Sequence, residues 1–127
     1  MNAAHAYRDV RRASLVAGKS PHALTLMLFD GAIARLGAAR ELGAAGDRAS
    51  SRRAIDRGLA IVQELQGSLR DPETNPLSTQ LFGLYQHVIE RLLEANRSGE
   101  IAPITAAEEI LGTLREGWAG IDPNAAT

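Results

Sequence analysis

Twice in this chain a small uncharged polar residue is followed directly by proline, at Ser20-Pro21 and at Asn75-Pro76, and each pair opens about twenty residues of apolar side chains at helical spacing. The polar side chain can accept a hydrogen bond from a free backbone N–H of the first turn, and proline lacks a donor where none is needed, so both pairs read as helix starts. Asp47 caps a further helix from about Arg48 to Leu69, and Pro103 opens the last one. Stops lie between them: Gly43-Ala44-Ala45-Gly46, the loop Asp71-Pro72-Glu73-Thr74, and Ser98-Gly99. No alternating β-branched run occurs. The expected fold is all-α, an antiparallel up-down four-helix bundle with a short N-terminal helix or arm.

The apolar pattern assigns faces. In the first long helix, Leu24, Leu28, Gly31, Ala38 and Leu42 follow one stripe, and Leu26, Phe29, Ile33 and Leu36 a second. A helix with one neighbour needs one stripe; two stripes mean two sets of partners, one of which can lie outside the chain. The second helix presents Ile55, Leu59, Val62, Leu65 and Leu69, with Ile61 beside them. The third presents Leu81, Leu84, Val88, Leu92 and Ala95, flanked by Phe82, Tyr85, Ile89 and Leu93. The last steps through Ile104, Ala107, Leu111, Leu114, Trp118 and Ile121 by threes and fours, which places Trp118 in the core. Phe29, Phe82 and Tyr85 lie off the main stripes, so they divide between core packing and outward-facing grooves of the kind that accept amphipathic segments.

Length and composition limit the rest. The 127 residues suit one domain over 1–127, with an arm at 1–18, the bundle at 20–121 and a frayed tail at 122–127. With 14 basic and 15 acidic residues the net charge is −1, against a nucleic-acid binder. There is no cysteine for a disulfide or thiolate site, no apolar run long enough to cross a bilayer, and no signal-peptide core, so a cytoplasmic location is expected.

Catalytic chemistry finds no foothold. The histidines are His5, His22 and His87, without Glu-x-x-His or His-x-x-x-His spacing for a metal, and no phosphate loop or nucleophilic serine motif occurs. Neither cofactor nor metal is expected, and the chain is read as no enzyme. His87 is the one residue that a phosphotransfer signalling bundle could use, and a generic helical adaptor is a further alternative. Arg48, Arg52, Arg53 and Arg57 place positive charge at the start of the second helix, against its dipole; a solvated face or a contact with something acidic would each explain them.

Several blocks resemble one family. Tyr7 with Val10, Ser20-Pro21-His22-Ala23-Leu24, Met27-Leu28-Phe29-Asp30-Gly31-Ala32, Gly46-Asp47, Leu84-Tyr85, Arg91-Leu92-Leu93-x-Ala95-Asn96 and the late Trp118 are similar to the flagellar secretion chaperones (FliS), over nearly the whole chain. The resemblance implies a non-enzymatic cytosolic export chaperone that binds the disordered C-terminal segment of flagellin. Such a chaperone prevents premature polymerisation and assists type III flagellar export. It implies contacts with the flagellar export gate and with an anti-sigma factor, and an N-terminal arm that covers client-binding surface when no client is present. The client-binding positions expected on these grounds are Tyr7, Val10, Leu24, Met27, Leu28, Phe29, Leu81, Leu84, Tyr85 and Val88. Tyr7 and Val10 are expected to dock reversibly on the helices that carry the others.

Overall fold

Capping side chains fix where the helices begin. Ser20 accepts from the Ala23 N–H at 3.1 Å, Asp47 from the Ser50 N–H at 3.1 Å, and Asn75 from the N–H groups of Leu77 and Ser78 at 3.1 and 3.3 Å. Hydrogen bonds from the Ser50 side chain and backbone hold the Asp47 carboxyl below its ordinary range. In the computed structural model, which describes residues 20–121, these caps start three of four helices. The helices are α1 (Pro21–Ala44), α2 (Arg48–Gly67), α3 (Pro76–Ser98) and α4 (Ala102–Ala119), and no strand occurs among the described residues. The arm with Tyr7 and Val10 and the tail from 122 lie outside the described residues.

The helices form a ring in which α1 packs on α2 and α4, and α3 packs on the same two. Neighbours run antiparallel. His22 at the start of α1 meets Trp118 at the end of α4, while Arg40 near the end of α1 meets Glu108 near the start of α4. The expected four-helix bundle is therefore present.

Its core differs in detail from the predicted stripes. In α1 the residues that join the continuous core are Leu28, Phe29, Ala32, Leu36 and Ala39, a line running between the two predicted stripes; Ala38 is exposed and Gly31 half-buried. Small side chains at Ala32 and Ala39 let neighbouring helices approach, so the apolar centre lies where no bulky residue marks it. In α2, Ile55, Ile61, Val62 and Leu65 are enclosed, with Leu59 and Leu69 at the margin. In α3, Tyr85, Val88, Ile89, Leu92 and Ala95 are enclosed and Leu84 is not, so Tyr85 and Ile89 take the core positions expected of Leu81 and Leu84. In α4, Ile104, Ala107 and Leu111 are enclosed, while Leu114 and Trp118 pack at the edge.

The four seams are held differently. Between α1 and α4, Arg115 bridges to Asp30 and Arg40 to Glu108, each at 2.9 Å, and two hydrogen bonds join His22 and Trp118. The carboxylates hold both guanidiniums protonated to higher pH than usual. Between α1 and α2, Ser51 Oγ donates to the Ala39 carbonyl at 2.8 Å, and Gly58 lies so close to Leu36 that a Cβ there would stand 2.8 Å from Leu36 Cδ2. Between α2 and α3, Gln66 donates to Gln86 and to the Phe82 carbonyl, and Asn96 donates to Asp56. Among the described residues no hydrogen bond or ion pair crosses from α3 to α4. That seam rests on apolar contact.

The arginine-rich start of α2 finds one internal use. Arg48 lies across the left-handed turn at Gly99 (φ 75°) and donates to the Arg97 carbonyl at 3.3 Å. A charge that opposes the dipole of α2 thereby complements the C-terminus of its antiparallel neighbour α3. Arg53 donates to Ser50 Oγ at 2.9 Å, and Arg52, Arg53 and Arg57 are exposed.

Candidate functional site

Helix α3 carries more apolar surface than its core contacts cover. Leu77, Leu81 and Leu84 recur at i, i+4 and i+7 and so share one flank; Leu77 is 57% exposed, Leu84 41%, and Leu81 half-buried. Leu77 and Leu81 open into a cleft of about 360 Å³, shared with Pro21, Tyr85, Trp118 and Ile121, at the end of the bundle where α1 begins. This flank therefore faces the unbonded seam with α4. On the opposite flank, toward α2 as the Gln66 hydrogen bonds show, Phe82 is 42% and Leu93 51% exposed. Met27 on α1 and Ile121 beyond α4 add further exposed apolar area.

The residues expected to face a partner divide accordingly. Met27, Leu81 and Leu84 reach the surface. Leu24, Leu28, Phe29, Tyr85 and Val88 are enclosed, and the last four belong to the continuous core. Phe29 and Tyr85 contact each other with ring centroids 6.3 Å apart, filling the space between α1 and α3 that smaller side chains would leave open. Burial pushes the Tyr85 hydroxyl up to about 12. Tyr7 and Val10 lie outside the described residues. Leu77 and Leu93 are not among the expected positions, and Phe82 takes the groove side of its two expected places, although the i, i+4, i+7 spacing of Leu77, Leu81 and Leu84 is visible in the sequence.

Among the described residues no cluster of three His, Asp or Glu side chains could hold a metal ion. His87 stands exposed on the outer side of α3. No helix among the described residues is long and apolar enough to cross a membrane. The geometry can offer apolar contact along two flanks of one helix, and an end cleft, to another polypeptide.

Comparison with known proteins agrees with that. Residues 3–125 match the family model described as flagellar protein FliS. The flagellar secretion chaperone FliS of Salmonella typhimurium is 35% identical over 121 residues, spanning 94% of this chain and 90% of its own length. The flagellar secretion chaperone FliSB of Pseudomonas aeruginosa is 28% identical, over 95% of this chain and 96% of its own. FliS of Escherichia coli is 25% identical, over 89% of this chain and 84% of its own. A helical ring with surplus apolar surface on α3 and a whole-length family match lead to one conclusion: this chain belongs to the FliS family of flagellar secretion chaperones.

Proposed function

We infer that the chain binds the disordered C-terminal segment of flagellin in the cytosol, holds it from polymerising, and presents it to the flagellar type III export gate. One observation carries this reading: α3 completes its share of the core and still leaves Leu77, Leu84, Phe82 and Leu93 open on two flanks. A disordered client loses conformational entropy when it orders, so it needs a long apolar track, on the order of 1,000–3,000 Å² buried. Two flanks and an end cleft are the parts of such a track that the described residues offer, and they extend further than a single small pocket would. The client's apolar side chains would enter these grooves as short helical or extended pieces. Tyr7 and Val10 belong to the same reading: deleting residues 1–16 changes client affinity if the arm competes for the track. Contacts with an anti-sigma factor are a further part of it.

Titration calorimetry of the full chain with flagellin, and with flagellin lacking its C-terminal segment, tests the reading. The expected result is binding to the first and none to the second. Equal affinity for both would overturn it.

A further inference from the structure

The two apolar flanks of α3 are separated by an outward ridge. Gln80, Gly83, His87, Glu90 and Glu94 step by three and four along it, and all but the half-buried Glu94 are exposed. A single client chain that covers both flanks must cross this ridge. At Gln80, His87, Glu90 or Glu94 the crossing chain would meet a polar or charged side chain and strip water from it. At Gly83 it meets bare backbone.

Gly83, like Gly112 and Gly117, stands in open space. A Cβ built there meets nothing within 4 Å, so no neighbour within the bundle requires the missing side chain. Contrast Gly58, where Leu36 occupies the space. A glycine in mid-helix destabilises by up to ~1 kcal/mol against alanine, and at Gly83 no contact among the described residues offsets that. Its chain neighbours Phe82 and Leu84 are the exposed apolar residues that mark the two flanks. The notch therefore lies between them.

We propose that Gly83 is the pass at which the client crosses α3. An extended stretch of the flagellin segment lies against the helix backbone there, with side chains before and after it in the Leu77–Leu84 flank and the Phe82–Leu93 flank. This rests on the reading that flagellin is the client. It adds that the client is one continuous chain lying on both flanks, and that the pass sets how small its residues at the crossing must be. Extended backbone is the conformation that approaches a helix ridge closely, since a client helix would hold its axis 8–10 Å away.

The test uses the full chain with intact flagellin and compares Gly83→Ala, Gly83→Gln and Gly112→Ala. Gly112 lies in α4 and also has nothing within 4 Å of an added Cβ. Both alanine variants are expected to raise Tm, because alanine is the better helix former. Gly83→Ala should nonetheless weaken flagellin binding about tenfold, and Gly83→Gln further, with Gly112→Ala unchanged. Gain of stability with loss of binding at one position is an outcome that a purely structural glycine does not give. The proposal falls if the Gly83 variants bind as the parent does, and equally if Gly112→Ala weakens binding as much as Gly83→Ala. In both cases the parent still binds flagellin and the client assignment stands. If the parent itself fails to bind, the client assignment and the pass fall together.

Discussion

His22 and Trp118, 96 residues apart, hold each other by two hydrogen bonds and a ring stack. The His22 Nε2–H donates to the Trp118 carbonyl at 2.8 Å, the Trp118 Nε1–H donates to the His22 carbonyl at 3.1 Å, and the ring centroids stand 5.5 Å apart. The pair ties the first turn of α1 to the last turn of α4 beside the end cleft. His22→Ala removes the stack and one hydrogen bond, and should lower stability by about 1–2 kcal/mol. Trp118 is the one tryptophan in the chain, so native emission should also shift to the red. An unchanged urea midpoint with unchanged emission would refute the clasp.

Surface and core positions on neighbouring turns should behave oppositely. Leu84→Ser and Phe82→Ser should weaken flagellin binding by about tenfold or more while changing stability by less than ~0.5 kcal/mol. Phe29→Ala empties an enclosed site between α1 and α3 and should cost about 3–5 kcal/mol. Paired denaturation and binding curves separate the two classes; if Leu84→Ser were as damaging to stability as Phe29→Ala, the flank would belong to the core.

Gly58 and Gly117 give a second contrast. A Cβ at Gly58 would stand 2.8 Å from Leu36 Cδ2, so Gly58→Ala should push α1 from α2 and destabilise by about 1–3 kcal/mol. A Cβ at Gly117 meets nothing within 4 Å, and Gly117→Ala should stabilise by about 0.5–1 kcal/mol. Thermal melts of the two variants should move in opposite directions, and a shared direction would mean the α1–α2 approach is looser than described.

Tyr85 makes the fold sensitive to alkali. Its hydroxyl is pushed up to about 12 by burial, against about 10 in an unfolded chain. Below pH 10 both states keep the proton and no stability is lost. From about pH 10 to 12 the unfolded chain releases it while the native state holds it, so stability falls as pH rises, by up to roughly 2–3 kcal/mol. In a Tyr7→Phe background, phenolate absorbance should appear together with loss of helical circular dichroism, and Tyr85→Phe should remove the alkaline loss. Phenolate forming near pH 10 in a fully helical protein would contradict the burial of Tyr85.

Legibility varied by the kind of signal. Ser20, Asp47 and Asn75 announce helix starts because capping is local chemistry, and the structure places all three at their caps. The apolar centre of α1 was harder to see, since Ala32 and Ala39 are enclosed for their smallness and look neutral in sequence. On α3 the consecutive residues Leu84 and Tyr85 point about 100° apart, so one faces solvent and the other Phe29. Hydropathy ranks both as core. Only the positions of α2 and α4 around the helix decide which flank stays open, and that is tertiary information. Arg48 was legible as a misfit against its own dipole, but its partner at the far end of α3 was not.

The apolar contact between α3 and α4 has a mechanical consequence. Parting α1 from α4 would strand two ion pairs and the His22–Trp118 clasp at once, whereas a small shift of α3 that keeps its hydrogen bonds to α2 breaks no hydrogen bond or ion pair at the α3–α4 seam. The bundle is thus stiff on one side and compliant on the other. Small shear displacements between packed helices are the ordinary way such a joint yields. Cargo of differing bulk can therefore be seated, and let go, without unlocking a polar latch.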